Sequence, residues 1–216
     1  MIIAIDGPAG SGKGTITEEV AKKLNLTNID TGATYRAIAY AVLKNNIDLD
    51  DHDAIVDLSI SSKINFDKDG NVYLDGEDIS KEIRTKEVSS IVSKVSSIVK
   101  LRENMVDLQR KMASGKDVIM EGRDITTVVF PDADYKFYLD ASVSERADRR
   151  YKQNKENNID MSYDEILESI KTRDYNDMHK EVGALMRTDD QIYIDTTNLT
   201  IDEVVEKVVN YIKGDE

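Results

Sequence analysis

The segment Gly7-Pro-Ala-Gly-Ser-Gly12-Lys13 fits the pattern G-x-x-x-x-G-K and lies between the apolar run MIIAID and the stretch ITEEVAKKL. Glycines there let the backbone turn tightly, so that successive N–H groups face phosphate oxygens, and a helix starting at the loop's end adds partial positive charge. Lys13 would neutralise the outer phosphates of a nucleotide. The pattern ends unusually: Gly14 stands where serine or threonine is expected, with Thr15 one position later. Either Thr15 reaches Mg2+ or the nucleotide, or the loop is a variant. The lysine and the flanking elements together argue against a turn that merely joins strand to helix.

Nucleotide binding alone fits GTPases, motors and small-molecule kinases. A GTPase reads guanine with Asn-Lys-x-Asp, and the nearest match, Asn154-Lys-Glu-Asn157, lacks the final aspartate. A motor needs more chain than 216 residues and a partner interface. What the sequence offers instead is guanidinium groups near strand ends and in one polar helical region: Arg36, Arg123, Arg146, Arg149, Arg150 and Arg173. Transfer of a phosphoryl group between two anions needs such groups to offset repulsion and to stabilise charge on the moving phosphoryl. Taken singly, each arginine also fits a solvated helix face; the set is more persuasive than its members.

The elements that must position these groups are legible as an alternation. MIIAID, LTNID (26–30), DVIME (117–121), YKFYLD (135–140) and QIYIDT (191–196) read as five strands. Between them lie stretches with helical spacing, such as Ile16, Val20, Ala21 and Leu24, or Ile201, Val204, Val205, Val208 and Ile212. Alternating strands and helices predict an α/β fold, a parallel sheet covered on both faces. Ser142-x-x-Glu145, Ser162-x-x-Glu165 and Thr200-x-x-Glu203 each predict a capping box at a helix start. Residues 63–80 break the pattern: β-favouring alternation around Asp69-Gly70-Asn71 predicts an antiparallel hairpin. With one polar helix over KEVSSIVSKVSSIV (86–99) it would form an inserted subdomain over about 62–100.

With 29 basic and 42 acidic residues the net charge is −13, so the chain is not expected to coat nucleic acid or an anionic membrane, and any anion must be met by a local basic pocket. There is no cysteine, and His52 and His179 lack metal-ligand spacing, which argues against redox or zinc chemistry. No basic leader precedes the first apolar run, and no run approaches the roughly 18 residues of a membrane span, so a cytoplasmic protein is expected. Asn25-Leu-Thr and Asn198-Leu-Thr match the glycosylation pattern only by coincidence on this reading.

Six blocks in order carry a family resemblance: GPAGSGKGT (7–15), DTGATYR (30–36), GEDISKEIRTKEV (76–88), EGRDITTVVFPDA (121–133), DASVSERADRR (140–150) and IKTRDYND (170–177). Over essentially its full length the chain resembles the bacterial cytidylate kinases, within the P-loop nucleoside monophosphate kinases. Lys13-Gly14-Thr15 is the loop ending seen in that group. The resemblance implies a P-loop NTPase-type five-stranded parallel sheet with an acceptor-binding insertion (about 62–100), a helical lid (about 146–162, with flanking helices) and a core formed by about 1–61, 101–145 and 177–216.

It also implies roles. Gly7, Pro8, Ala9, Gly10, Ser11, Gly12, Lys13, Gly14 and Thr15, with Arg149 and Arg150 from the lid, would hold ATP. Mg2+ would be bound through the nucleotide's phosphates, with Thr15 as its one candidate side-chain ligand. Arg36 and Arg123 would bind the phosphate of CMP or dCMP, with Thr31 beside them. Ser93, Arg102 and Asp124 would meet the cytosine, whose O2 and N3 accept and whose N4 donates; uracil offers an acceptor where Asp124 needs a donor. Arg173 and Asp177 would contact the ribose, with Arg173 near the transferring phosphoryl; read alone, they are also an ordinary i,i+4 pair. Lys13, Arg123, Arg173 and Lys180 form the candidate catalytic set.

One position departs from the family pattern. Lys180 stands where an arginine is usual, which keeps the charge but loses the planar fork; Arg187 is a candidate to compensate. The resemblance thus implies an ATP- and Mg2+-dependent kinase acting on CMP and dCMP, expected to be a monomer. A different acceptor (UMP, AMP or a phosphate-free metabolite) and a nucleotide-responsive binding module remain as rivals.

Overall fold

In the computed structural model, which describes residues 1–67, 70–156 and 159–214, five strands form one parallel sheet. They are β1 (Ile2–Asp6), β2 (Thr27–Asp30), β6 (Val118–Gly122), β7 (Tyr135–Asp140) and β8 (Ile192–Asp195), in the order β2-β6-β1-β7-β8. All five lie where the sequence places them. The central strand is buried on both faces, as a parallel sheet requires. Ile3 and Ile5 of β1 face α1 (Lys13–Leu24) and α8 (Ile201–Lys213), while Ala4 turns to the opposite layer with Val118, Met120 and Ile125.

The rest of the chain between β2 and β6 makes a second apolar cluster. Here α2 (Thr31–Lys44), α3 (His52–Ser61), α4 (Lys86–Val95) and α5 (Val99–Ala113) pack with a small antiparallel sheet of β3 (Ile64–Phe66), β4 (Val72–Leu74) and β5 (Glu77–Asp78). β3 and β4 pair as predicted, Ile64 opposite Leu74 and Phe66 opposite Val72; Asp69 of the predicted turn lies outside the described residues. A third strand was not expected. It follows a two-residue turn, Asp75-Gly76, with both residues at positive φ (51° and 89°), the geometry that matches strand twist in a tight hairpin.

Residues 86–99 do not form one polar helix. α4 ends at Val95, Ser96–Ile98 turn, and α5 begins at Val99. The hydroxyls of Ser96 and Ser97 donate to the carbonyls of Ser93 (3.2 Å) and Lys94 (2.7 Å), competing with helix continuation, while Ile98 is drawn into the core. Nor is α4 polar all round, since Val88 and Val95 are buried.

α6 (Val143–Glu156) and α7 (Tyr163–Met178) pack through Ala147, Ile166 and Ile170, over the region expected to form the lid. Ser162 and Thr200 open α7 and α8 with complete capping boxes. At Ser142 only half of the predicted box forms. Its hydroxyl accepts from Glu145 N (3.2 Å), but the Glu145 carboxylate is taken by Arg149 one turn on (3.0 Å). Among the described residues no helix is long and apolar enough to cross a membrane.

Candidate functional site

The loop between β1 and α1 has three glycines at positive φ, Gly7 (152°), Gly10 (81°) and Gly12 (91°). At Gly7 the requirement is also spatial, since a Cβ would lie 2.0 Å from the Leu139 carbonyl oxygen on β7. Lys13 opens α1 and turns back into the loop, donating to Pro8 O at 2.8 Å. Burial, then the neighbouring Arg123 charge, brings its amine down to about 7. Gly14 faces Glu121 of β6, whose Oε1 lies 3.0 Å from where a Cβ would stand, so a side chain after the lysine would crowd this carboxylate. Thr15 is exposed on the first turn of α1.

Across the strand ends, α2 and the turn after β6 supply the other half of the cleft. Asp30 caps α2 through Ala33 N (3.0 Å) and pairs with Arg36 (2.6 Å); burial opposes its charge, but Arg36 outweighs burial and keeps the carboxyl below its usual range. The Arg36 Nε is buried without a partner. Thr31 ties α2 to β6, donating to Glu121 O at 2.7 Å.

Asp177 gathers three cations. Arg123 Nε (2.8 Å) and Lys180 (2.9 Å) bond its two oxygens, and Arg173 Nε stands at 4.0 Å. Burial alone would raise its pKa, yet Arg123 and Lys180 bring it to about 2. Arg173 is half-exposed; partial desolvation, then Arg123, lowers it to about 10. The lysine at the departure from the family pattern is therefore an ion-pair partner within the cluster. Arg187 lies apart, over the Tyr193 ring (4.0 Å).

Arg102 and Asp124 form the most enclosed ion pair of the cleft, at 2.5 Å with side chains 4% and 6% exposed. Arg102 also donates to Ser96 O (3.0 Å) and stands over the Tyr35 ring (5.2 Å), while its Nε is buried without a partner. Gly183, in the segment after α7, lies directly on the pair: a Cβ there would be 2.3 Å from Arg102 Nη2 and from Asp124 Oδ2. Ser93 is half-buried on α4, its carbonyl accepting from Ser96 Oγ; Ser96, three residues on, touches both Arg102 and Lys180.

The arginines of α6 divide. Arg149 lies beside the loop, bonding Thr196 O (2.7 Å) and Thr196 Oγ1 (3.1 Å), whereas Arg150 is exposed and donates to Gln153 (2.9 Å). Arg146 is buried: it donates to Ala141 O and Ala9 O, both at 3.0 Å, and pairs with Asp174 (2.6 Å). It braces the loop against α7. Of the expected lid, residues 157 and 158 lie outside the described residues.

Sequence reasoning missed Asp6, Glu121, Ser96, Tyr35 and Gly183. Asp6 and Glu121 carry a usable signal, because acids at the carboxyl ends of parallel strands face the crevice where such sheets bind ligands. Burial, and for Glu121 then the charge of Asp30, raises the pKa of both carboxyls.

A cytidylate kinase family model matches residues 3–214. The curated cytidylate kinase of Alkaliphilus oremlandii (strain OhILAs) is 50% identical over 212 residues, covering 98% of this chain and 97% of that protein. The one from Clostridioides difficile (strain 630) is 49% identical over 212 residues, covering 98% of each. Among solved structures, a shikimate kinase from Bacteroides thetaiotaomicron aligns with TM-score 0.52 at 12% identity, over 99% of this chain and 98% of that one, a likeness of fold. With the family matched from one end of the chain to the other and the phosphate loop and cationic cleft facing each other, this chain belongs to the cytidylate kinase family of nucleoside monophosphate kinases.

Proposed function

We propose that the chain transfers the γ-phosphoryl group of ATP to CMP, and to dCMP, by direct in-line displacement. The observation that carries this reading is the enclosed Arg102–Asp124 pair. Its donors match O2 and N3 of cytosine and its carboxylate matches the N4 amine; the partnerless Arg102 Nε is a further donor to spend. Arg36, with its own partnerless Nε, and Arg123 would bind the acceptor phosphate. That phosphate is already ionised, so no strong general base is needed, and catalysis reduces to positioning and charge stabilisation.

Lys13 and the loop amides would cradle the donor phosphates, with Arg149 beside them. Arg173 and Asp177 would meet the ribose, and Lys180 would hold Asp177 in place. Exposed Arg150 would leave Gln153 and swing toward the phosphates, and closure of the lid would exclude water. The oxygens of Thr15 and Glu121 are hard donors suited to Mg2+, and these two side chains would hold it with the nucleotide. When bound, the metal would neutralise charge on the β- and γ-phosphates. The insertion over about 62–100, whose described residues pack with α2, α3 and α5, would serve as the acceptor-binding unit.

The test is ADP formation with CMP, dCMP, UMP and AMP as acceptors. The expected result is preference for the cytidine nucleotides and no transfer by Lys13→Ala. Preference for AMP, or ATP binding without acceptor-dependent ADP release, would end this reading.

A further inference from the structure

Asp6 is the last residue of β1 and sits directly before the phosphate loop, yet its carboxylate serves the acceptor side. Fully buried, it accepts from Ile125 N (2.9 Å), Thr126 N (2.8 Å) and Thr126 Oγ1 (2.6 Å). These amides start the wide π-helical turn 125–129 that follows Arg123 and Asp124. The chain of bonds continues. Thr126 Oγ1 accepts from Gln191 Nε2 (2.5 Å), and Gln191 Oε1 accepts from Thr188 N (2.8 Å), while Nε2 also reaches Met186 O (3.5 Å). Residues 186–191 continue the segment in which Gly183 lies on Arg102 and Asp124.

We propose that Asp6, Thr126 and Gln191 are positioning residues for acceptor recognition. Their carboxylate–hydroxyl–amide chain sets where Arg123 and Asp124 stand relative to the phosphate loop, and holds the segment after α7 against the base-reading pair. The proposal rests on the assignment of Asp124 to cytosine. Its physical basis is that Asp6 spends all of its visible hydrogen bonding on this turn, and a displacement of about 1 Å in a reacting or reading group is enough to cost rate and selectivity. A single hydroxyl, Thr126, both donates to Asp6 and accepts from Gln191, so one substitution cuts the chain at its middle.

The experiment compares Asp6→Asn, Thr126→Val and Thr126→Ser with the unaltered full chain, measuring kcat and KM for CMP, UMP and ATP together with thermal melting. In Asp6→Asn an amide group faces a backbone N–H. KM for CMP should rise, and the CMP-over-UMP ratio of kcat/KM should fall roughly tenfold, with KM for ATP held within about threefold. Thr126→Val should shift the same quantities less, and Thr126→Ser should restore them. If the variants lose melting temperature but keep the CMP-over-UMP ratio and KM for CMP, the residues are merely structural and the proposal fails. An equal rise in KM for ATP would also overturn it. Should Asp6→Asn not fold, the Thr126→Val and Thr126→Ser pair decides the matter alone. Absence of CMP preference in the unaltered chain would remove the cytosine reading and this proposal with it, whereas unchanged ratios against a CMP-selective parent remove this proposal only.

Discussion

Replacing Asp124 with alanine separates what the Arg102–Asp124 pair does for the fold from what it does for the base. At 2.5 Å, with side chains 4% and 6% exposed, removal of the acid leaves a buried guanidinium without its direct carboxylate partner, bonded to the Ser96 carbonyl and standing over the Tyr35 ring. Breaking such a pair from one side costs about 3–5 kcal/mol. For a chain of 216 residues, 3 kcal/mol corresponds to a fall in Tm of roughly 6–12 °C. If the carboxylate also accepts the N4 amine of cytosine, a charge-assisted hydrogen bond worth about 1.5–3 kcal/mol is lost, and kcat/KM for CMP should fall roughly 10- to 150-fold. UMP places an acceptor at that position, so its turnover should hold or improve. The assay is steady-state ADP release with each acceptor, at a temperature well below the variant's melting point. The double variant Arg102→Met/Asp124→Leu supplies the control: a packed apolar pair should recover most of the lost Tm, yet not the preference for CMP. If Asp124→Ala melts early but keeps its CMP-over-UMP ratio within about twofold, the pair is structural and the cytosine assignment is wrong.

Burial and the neighbouring Arg123 charge hold the Lys13 amine down at about 7, so an arriving phosphate should restore its charge. Nucleotide binding at pH 8 should then take up a proton and weaken as pH rises, which calorimetry in buffers of different ionisation enthalpy reads directly; Lys13→Met retaining the same uptake would refute the assignment. Asp177 has its pKa lowered to about 2, so its contribution of about 2 kcal/mol is complete above pH 4 and lost as pH falls toward 2. Asp177→Asn should flatten the acid limb of stability, measured by denaturant titration, and an unchanged limb would count against the ion-pair cluster. Gly7→Ala forces a Cβ to within 2.0 Å of Leu139 O at φ 152°, and should cost about 3 kcal/mol or more of stability by thermal melting; a near-native melt would show that the loop can move away from β7.

The five strands were readable because each is a short apolar run ending in an acid, turn or polar residue, and the phosphate loop because its chemistry is local. What stayed hidden depends on partners far away in sequence. Asp6 and Glu121 look like strand terminators until the pairing of β1 with β6, Ile5 beside Glu121 and Asp6 beside Gly122, sets them side by side at the strand ends on opposite faces, Glu121 toward Gly14 and Asp6 toward Ile125 and Thr126. The division of residues 86–99 turned on serine hydroxyls choosing carbonyls over continued helix, which periodicity does not register. The Asp75-Gly76 turn did carry a local hairpin signal, overshadowed by Asp69-Gly70-Asn71 close by. Among the residues the resemblance singles out, Arg102 pairs with Asp124, Arg123 with Asp177 and Arg36 with Asp30. Ser96 bonds Arg102 and Lys180 where Ser93 was expected in the cleft, because the chain turns there.

The strand order has a consequence for how the molecule assembles. β1 is flanked by β6 and β7, both more than a hundred positions later in the chain, and these two take both of its edges. The stretch from α2 to α5 has its own apolar cluster and mostly local partners, so it can order early. Until residues 118–140 arrive, β1 carries two unsatisfied edges, and its isoleucine face is covered by α1 alone, without α8. The α2–α5 cluster therefore organises first, the strand that leads into the glycine loop gains its neighbours only later, and the interval between them is when this chain is most exposed to aggregation.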